Sequence, residues 1–250
     1  MLAIIGGTGL TRLSTLAVAH REVVRTPYGE PSAPLLFGQI AGRDAVFLAR
    51  HGHGHTIPPH RVNYRANLWA LKKGGATAIL GVASVGGIRG ADPGDLVLPH
   101  QLIDYTDGRS QTFFDGGDQR VVHVDFTHPY SAAVREACVA AAASGGIPLV
   151  EGGVYGAVNG PRLETAAEID RLERDGATLV GMTGMPEAAL ARELDVPYAS
   201  LCVVVNHAAG RGQSVQQVSM EGIVQVLDSA MDKVRALLDH VIPLLEGSTA

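Results

Sequence analysis

Short apolar runs recur along the chain, separated by more polar segments. Apolar residues fill these runs almost throughout instead of alternating with polar ones, which is typical of strands that are buried on both faces of a sheet. The predicted strands are Ala3 to Ile5, Ala45 to Leu48, Ala78 to Val82, Asp95 to Leu98, Gly153 to Ala157, Thr178 to Met182 and Tyr198 to Val205.

Segments with apolar residues at helical spacing lie between these runs. The clearest follows Ser219, which is a suitable N-cap, and its apolar spacing requires one buried face. Its apolar positions are Met220, Ile223, Val224, Leu227, Met231, Val234, Leu238 and Val241. The predicted helices are Val62 to Lys73, Ser131 to Ala143, Thr165 to Asp175, Pro186 to Leu194 and Ser219 to Leu245.

The alternation of strands and helices predicts an α/β fold whose mixed, largely parallel sheet is flanked by helices. A length of 250 residues suits one such domain, and no low-complexity linker or internal repeat divides it. We therefore expect a single domain over residues 1–250. The turn-rich segments at Gly86 to Gly94, Asp115 to Asp118 and Ala208 to Gln213 are predicted to be loops within it.

Composition removes several classes of function. A formal net charge of −5, with Lys and Arg scattered along the chain, argues against a nucleic-acid partner. The chain begins with a strand-like segment and holds no apolar run of the roughly 18 residues that a spanning helix needs, so we expect no membrane association. Two cysteines, Cys138 and Cys202, make no disulfide framework, which predicts a cytoplasmic protein.

Two glycine-rich turns follow predicted strands. Gly6-Gly7-Thr8-Gly9 and Val82-Ala83-Ser84-Val85-Gly86-Gly87 each expose main-chain N–H groups that can surround an anion, and Thr8 adds a hydroxyl. In the second turn the glycines also allow a flat ring to lie close to the chain. Neither segment matches the G-x-G-x-x-G or P-loop patterns, so geometry alone remains an alternative explanation for these glycines.

A histidine-rich stretch holds His51, His53, His55 and His60. The first three have a spacing that places them on one face of a strand, but no carboxylate or cysteine lies near, and we therefore predict no metal site. Arg50 and His51 follow a predicted strand directly, at the edge where open α/β sheets bind ligands, which favours an anion site. For His53 and His60 we expect solvated loop positions.

Three more polar corners follow strands or precede helices. These are Asn159 to Thr165, Val180 to Glu187, and Val203 to His207, where a polar amide ends an apolar strand. Glu164 stands near the predicted start of a helix, so it is either a ligand-binding group or only a partner of the helix dipole. Polar groups at so many strand ends predict one shared ligand site.

Together these corners resemble the purine nucleoside phosphorylase superfamily, in particular its trimeric branch of methylthioadenosine and methylthioinosine phosphorylases. The resemblance covers most of the chain and is carried by the order and spacing of Gly6-Gly7-Thr8-Gly9, Arg50-His51-Gly52, Val62-Asn63-Tyr64-Arg65-Ala66-Asn67, Gly160-Pro161-Arg162 and Gly181-Met182-Thr183. It implies the nucleoside phosphorylase fold and attack of phosphate on C1′ of a nucleoside. It also implies no metal or organic cofactor, inorganic phosphate as a co-substrate, and a homotrimer with sites at subunit interfaces.

The resemblance implies a phosphate site whose residues lie on several corners. A phosphate dianion needs several charge-assisted donors, and the planar fork of Arg50 suits its oxygens. Arg50 and His51 are therefore expected to form half of a phosphate clamp and to serve catalysis together with Asn206. The implied phosphate-binding residues are Thr8, Arg50, His51, Ala83, Ser84 and Thr183.

For the base and ribose, the resemblance places Met182 beneath the ribose and Leu163 where relatives usually have a Phe against the base. Leucine supplies apolar contact without ring stacking. Val85 and Gly86 are assigned to the same base and ribose region, on the second glycine-rich turn.

Asn206 takes the position of an Asp in methylthioadenosine phosphorylases. An amide donates to a carbonyl O6 and accepts from a protonated N7, which matches hypoxanthine or guanine as the leaving base. Ala208 replaces a second Asp of the adenine-selective relatives and is assigned to contact with the base. Glu164 stands where 6-oxopurine phosphorylases have a Glu able to accept the N1 proton.

By the same resemblance, inosine phosphorylases have a His that meets the 5′-hydroxyl near the position of Met220. This chain offers Met220, Ile223 and Val224 on one face of the last helix instead. An apolar wall there favours a 5′-methylthio group. His123 resembles a residue that a neighbouring subunit contributes over the 5′ group.

The expected reaction is phosphorolysis of S-methyl-5′-thioinosine to hypoxanthine and 5-methylthioribose 1-phosphate. The alternatives within the family are a general inosine and guanosine phosphorylase and a methylthioadenosine phosphorylase. Outside it, the alternatives are a ligand-sensing protein that keeps the fold and a metal hydrolase built on the histidines.

Overall fold

Strands and helices alternate through the computed structural model, which describes residues 1–11, 13–117 and 120–246. The strands are β1 Leu2–Gly6, β2 Ala17–Glu22, β3 Leu35–Ile40, β4 Arg43–Ala49, β5 Ala78–Gly87, β6 Leu96–Leu98, β7 Gln101–Asp104, β8 Val150–Glu151, β9 Val154–Ala157, β10 Leu179–Gly181 and β11 Tyr198–His207. The α-helices are α1 Tyr64–Lys73, α2 Ala132–Gly145, α3 Ala166–Arg174, α4 Gly184–Glu193 and α5 Met220–Glu246. Short 3₁₀ helices occupy Pro59–Arg61 and Gly212–Ser214.

All of these strands belong to one mixed sheet. Its main path is β2-β3-β4-β1-β5-β10-β9-β7, and β11 pairs with β5 and β6, while β8 pairs with β6. Six of the ten described pairings are parallel. The predicted single-domain α/β fold, with a largely parallel sheet flanked by helices, is confirmed.

Every strand and helix predicted from the apolar pattern is present, with ends shifted by a few residues. The largest shift is in β5, which continues beyond the predicted end at Val82 to Gly87. Gly86 and Gly87 pair with both β10 and β11, so the loop predicted to start at Gly86 starts only after Gly87. The prediction that this loop starts at Gly86 is therefore wrong, because a pair of glycines indicates a turn even where they lie inside a sheet.

The other two predicted loops agree more closely with the structure. Asp115 and the two glycines after it lie outside strands and helices, and Asp118 lies outside the described residues. The segment from Ala208 to Gln213 includes the first residues of the 3₁₀ helix Gly212–Ser214.

The apolar pattern did not predict β2, β3, β7 or β8. All residues of β2 are exposed, because it is the edge strand beyond β3 and carries polar side chains. A glycine interrupts β3, β7 is only half-buried, and β8 has two residues. Edge position and short length remove the periodic burial on which such predictions depend.

Helix α5 starts where predicted, and the N-cap assignment is confirmed because the Ser219 hydroxyl accepts a hydrogen bond from the Gly222 N–H at 3.0 Å. Its buried stripe begins only at Leu227, which is 6% exposed, whereas Met220 and Val224 are 65% and 58% exposed. The expectation of a buried face is therefore wrong for Met220 and Val224, whereas Ile223 between them is half-buried and packs against the core.

Both cysteines are free and buried. Among the helices that the structure describes, none is long and apolar enough to cross a membrane.

Close approach of a polar group to β5 explains one glycine in the core. A Cβ on Gly81 would lie 2.5 Å from the Tyr198 hydroxyl and 2.7 Å from a carboxylate oxygen of Glu187. Both side chains are buried, and the Tyr198 hydroxyl donates to Glu187 at 2.9 Å. The glycine therefore makes room for a hydrogen-bonded pair against the strand.

We expect Gly81→Ala to destabilise the protein by about 2 kcal/mol, because overpacking a core forces neighbouring groups to move. For a chain of this size that corresponds to a fall of about 4–8 °C in the thermal midpoint. Gly54→Ala is the control, since the nearest atom to its added Cβ lies at an ordinary 3.4 Å. Equal midpoints for the two variants in calorimetry would contradict this account.

Candidate active site

A cavity of about 570 Å³ opens at the carboxyl ends of the central strands. It brings together residues that are far apart in the sequence, including most of those predicted to bind ligand. The predicted residues that line it are Thr8, Arg50, His51, Ala83, Ser84, Val85, Gly86, Leu163, Glu164, Met182, Thr183, Asn206, Met220 and Ile223.

The cavity lies where β5 exchanges one neighbour for another. Along one edge, β5 pairs with β1 as far as Gly81, and antiparallel pairing with β10 begins at Gly86. No described strand pairs with that edge between these two residues. The other edge stays paired with β11, so the main chain of Val82 to Val85 is rigid yet open to a ligand on one side.

Arg50 enters the site from the end of β4 and is 1% exposed. Its Nε and Nη2 donate to the two carboxylate oxygens of Glu187, each at 2.7 Å, and Nη1 donates to the Val82 carbonyl at 2.8 Å. Burial lowers the pKa of Arg50, but the charge and hydrogen bonds of Glu187 outweigh that effect and hold the pKa above its usual value.

This geometry corrects the expectation that the Arg50 fork holds phosphate. The fork is occupied by Glu187, and only the remaining N–H groups of Nη1 and Nη2 are left for a ligand. The carboxylate also balances the positive charge, as a buried arginine requires. Arg50 therefore presents a fixed dipolar group to the cavity instead of a free cation.

His51 is 5% exposed, and its Nδ1 lies 2.8 Å from the Ile57 carbonyl oxygen. A carbonyl only accepts, so Nδ1 carries the hydrogen. Burial and the positive charge of Arg50 lower the His51 pKa to about 4. At neutral pH the ring is neutral, and its Nε2 is a hydrogen-bond acceptor.

Hydrogen bonds also fix the other segments that were predicted to bind phosphate. Ser84 Oγ donates to the Thr8 carbonyl at 3.1 Å and so joins the two glycine-rich turns. Thr183 is 7% exposed, and its N–H donates to the Tyr155 hydroxyl at 3.3 Å. These contacts place two hydroxyl-bearing residues and the Ala83 main chain on the wall next to Arg50.

Asn206 stands at a β-bulge near the end of β11. The register of β11 on β5 shifts between Val204 and Asn206, and such an insertion turns the next side chain in a new direction. Nδ2 of Asn206 donates to the His207 carbonyl at 2.6 Å. The reversed amide would set two oxygens against each other, so Oδ1 and the second N–H of Nδ2 are free for a ligand.

Glu164 lines the cavity beside Leu163, which is 38% exposed. Helix α3 has Thr165 as its N-cap, and Glu168 completes the capping box by accepting from the Thr165 N–H at 2.7 Å. The helix-dipole interpretation therefore belongs to Glu168. Burial raises the pKa of Glu164, as expected of a carboxyl group turned inward.

Three predicted residues do not line the cavity of their own chain. Ala208 is 1% exposed and packs behind the wall, in a small apolar cluster with Val180 and Ile88, so its assignment to base contact is corrected. Val224 points to solvent from α5, which corrects its assignment to the 5′ wall. His123 lies in an exposed segment, and its contribution to a neighbouring subunit stays a prediction.

Residues 1–243 match the phosphorylase superfamily. The chain belongs to this superfamily. It is 55% identical over 241 residues to a probable S-methyl-5′-thioinosine phosphorylase of Pseudomonas syringae pv. tomato, with coverage of 96% of this chain and 97% of the relative. It is 44% identical to a probable 6-oxopurine nucleoside phosphorylase of Dictyoglomus turgidum, covering 97% and 90% of the two chains.

Solved structures agree with this membership of the phosphorylase superfamily. The structure of methylthioadenosine phosphorylase from Schistosoma mansoni in complex with adenine superimposes with a TM-score of 0.94 at 31% identity, covering 99% of this chain and 92% of that one.

The cavity is also lined by residues that were not assigned to it one by one from the sequence, although some of them belong to the predicted corners. The additional lining residues are Gly7, His55, Thr56, Ile57, Pro58, Pro59, Pro161, Val180, Gly181, Val205, Ala209 and Val218. The segment from His55 to Pro59 follows the Arg50-His51 corner directly, and continuity with that corner was the available signal. Glu187 ends the predicted corner from Val180, but the sequence assigned no contact to it, because a lone helical Glu is normally solvated.

The lowered pKa of His51 makes a prediction about acid stability. A pKa of about 4 in the folded state and an ordinary value of 6.5 in the unfolded state mean that the unfolded chain binds more protons between these pH values. Stability is therefore lost as pH falls through that window, by about 3 kcal/mol between pH 7 and pH 4.

Urea titrations of the wild type and His51→Asn at both pH values measure this contribution. We expect the wild type to lose about 3 kcal/mol more than the variant, which lacks the titrating ring. A pH-independent difference between the two proteins would show that His51 is not the buried neutral ring described above.

Proposed function

We propose that the chain catalyses phosphorolysis of S-methyl-5′-thioinosine, releasing hypoxanthine and 5-methylthioribose 1-phosphate. The observation that carries this proposal is the fixed amide of Asn206 at the cavity wall. The names of the curated relatives, probable S-methyl-5′-thioinosine and 6-oxopurine nucleoside phosphorylases, support the same class of substrate.

Base selection follows from the donors and acceptors that Asn206 presents. With one N–H held by the His207 carbonyl, the other N–H is available for the O6 of a 6-oxopurine, and Oδ1 is available for a protonated N7. Glu164 supplies a carboxyl for the N1–H. Adenine carries a 6-amino group, which is a donor, at the position where Asn206 offers its own N–H donor. A mismatch of this kind can reduce turnover by ~10⁴-fold.

The phosphate site we propose consists of dipoles more than of free cations. Arg50 is neutralised by Glu187, and His51 is neutral with an acceptor at Nε2. The P–OH of monohydrogen phosphate can donate to that nitrogen. The Thr8 and Thr183 hydroxyls, the Ala83-Ser84 main chain and the Arg50 N–H groups donate to the other oxygens. Such a site holds phosphate without a strong ion pair. An ion pair of that kind would have to weaken when phosphate attacks C1′.

In the proposed reaction, a phosphate oxygen forms a bond to C1′ as the C1′–N9 bond breaks. The bonding electron pair leaves with the purine, and N7 takes a proton from solvent water. The P–OH proton of the new phosphate ester is released to solvent and replaces the one taken, so the protons balance. Oδ1 of Asn206 accepts a hydrogen bond from the N7–H. The ribose passes through a state with oxocarbenium character, which the phosphate stabilises from one face. Met182 supplies the apolar surface beneath the sugar.

The 5′ end of the substrate is assigned to Met220 and Ile223, which line the cavity together with Val218. No charged or hydroxyl side chain stands among these three. A thioether methyl group gains from such a surface by the hydrophobic effect, whereas a 5′-hydroxyl would lose its water there without a partner.

We also propose a homotrimer whose subunits complete each other's sites. The exposed segment around His123 carries Val121, Val122 and Val124, which are 78%, 40% and 37% exposed. An apolar run of this kind favours burial against a second copy, with His123 placed over the neighbour's 5′ group. The free, buried cysteines support the proposed location in the cytoplasm.

No metal or organic cofactor enters this proposal, and inorganic phosphate is a co-substrate. Among the described residues, no group of three or more His, Cys, Asp or Glu side chains is placed to hold a metal ion. Turnover that is unchanged after incubation with a chelator tests this part of the proposal.

The proposed function is tested by base release from methylthioinosine, inosine and methylthioadenosine at equal concentration, each with and without phosphate. We expect phosphate-dependent release that is fastest with methylthioinosine. Fastest release from inosine would establish the general inosine and guanosine phosphorylase and refute the 5′ assignment. Fastest release from methylthioadenosine would refute the assignment of Asn206, and release without phosphate would refute phosphorolysis.

Substitution of Asn206 tests the leaving-group role. We expect Asn206→Ala to lower kcat about 10²–10³-fold, as removal of a transition-state hydrogen bond does, with a smaller change in the nucleoside KM. Asn206→Asp should lower the ratio of methylthioinosine to methylthioadenosine turnover. A raised KM with normal kcat in the alanine variant would mean that Asn206 only binds the base.

Met220 and Val224 form a matched pair for the 5′ assignment, because both are exposed on the first turns of α5 but only Met220 lines the cavity. We expect Met220→Ser to lower the ratio of kcat/KM for methylthioinosine over inosine about 10-fold, since a small apolar contact is worth that much discrimination. Val224→Ser should leave the ratio unchanged. Equal ratios in all three proteins would place the 5′ group elsewhere.

A further inference from the structure

Arg109 stands outside the cavity, in the loop that follows β7, and makes an unusual set of contacts. Its Nη1 donates to the Met182 carbonyl at 2.8 Å and also to the Met185 carbonyl. Its Nη2 donates to the Asn159 carbonyl at 3.0 Å and to the Val158 carbonyl at 3.3 Å. None of these acceptors is a carboxylate, so the guanidinium is committed to main-chain oxygens.

These oxygens belong to two neighbouring stretches of chain. Strands β9 and β10 are parallel neighbours, and the chain leaves both at the same edge of the sheet. Val158 and Asn159 follow β9, whereas Met182 follows β10. The planar fork of an arginine is well shaped to join two such strand ends, because it offers two donors on each side.

Both stretches form the cavity wall on which the nucleoside would lie. Met182 and Thr183 line the cavity directly. The turn after Asn159 carries Pro161, Leu163 and Glu164, which line it as well. Arg109 thus holds the starting points of two wall segments at a fixed separation while touching neither the cavity nor its contents.

The arginine is itself held in place. Its guanidinium lies 5.5 Å from the centre of the Tyr64 ring, and Nη1 is 3.3 Å from the Tyr64 hydroxyl. The loop around it is tied down on both sides, since Asp107 and Asn159 exchange hydrogen bonds, and Glu193 accepts from the Thr112 hydroxyl at 2.6 Å. A well-anchored guanidinium can impose its geometry on the two wall segments.

We propose that Arg109 is a positioning residue that sets the distance between the ribose wall at Met182 and the base wall at Leu163 and Glu164. The expected change in kinetics rests on the proposed function, whereas the positioning of the two wall segments can be measured without any reaction. Thr183 of the proposed phosphate site lies between the Met182 and Met185 carbonyls that Arg109 holds. The Gly7-Thr8 turn, Arg50 and the Ala83-Ser84 main chain are not held by Arg109, so we expect a larger effect on the nucleoside than on phosphate.

The kinetic test compares Arg109→Ala and Arg109→Lys with the wild type. Arg65→Ala is the matched control, because Arg65 ties the same loop through Asp115 at 3.0 Å and the Thr112 carbonyl, and it lines no part of the cavity. We expect Arg109→Ala to raise the nucleoside KM at least 10-fold and the phosphate KM less than threefold. Lysine keeps the charge but not the fork and should recover only part of the loss, and Arg65→Ala should resemble the wild type.

Hydrogen exchange followed by mass spectrometry tests the positioning without substrate. We expect faster exchange of main-chain N–H groups in the Asn159–Glu164 and Met182–Met185 stretches of the Arg109 variants, with no change there in Arg65→Ala. If Arg109→Ala does not fold, Arg109→Lys carries both measurements.

The outcomes separate the two proposals. A wild type that releases no base refutes the proposed function, and the exchange data then decide the role of Arg109 alone. Unchanged exchange in both wall stretches overturns the positioning role whatever the activity. Faster exchange in an active variant whose nucleoside and phosphate KM values match the wild type shows a purely structural arginine, which also overturns the proposal.

Discussion

The exchange of partners along one edge of β5 is the constraint on which the site depends. A strand whose two edges were paired throughout would offer no main-chain groups to a ligand, and a strand without partners would not hold its shape. Because β1 leaves after Gly81 and β10 joins at Gly86, a four-residue window opens in the middle of a rigid sheet. Corners from several other strands converge on that window.

Buried polar groups behind the cavity keep this window in shape. Arg50, Glu187 and Tyr198 form one hydrogen-bonded group between the sheet and α4, and Gly81 leaves space for it. The cost of burying the ions is offset by their pairing and by the Val82 carbonyl. The same arginine thus stabilises the fold and, in the proposed function, contacts phosphate, and Glu187 holds it in place for both roles.

Much of this arrangement was predictable from the sequence, and the failures have physical causes. Apolar runs identified the central strands because burial on both faces leaves a strong signal, whereas the exposed edge strand β2 leaves none. Polar corners identified most of the cavity wall. The sequence did not reveal that Glu187 occupies the Arg50 fork, because the two residues are over 130 positions apart. It also did not reveal that Arg109 joins two strand ends, whose acceptors lie about 50–76 positions away. The neutral state of His51 depends on a folded contact with the Ile57 carbonyl, 6 positions away.

Exposure of the first turn of α5 has a consequence for how this fold diversifies. Met220 is 65% exposed, and the fully buried residues of the helix begin only at Leu227. In the proposed function this start of the helix faces the 5′ end of the nucleoside, and the exposed Met220 there contributes little to the hydrophobic core. Mutations there are free of the stability threshold that restrains core positions. Preference at the 5′ position can therefore drift in evolution while the scaffold and the chemistry at C1′ stay the same.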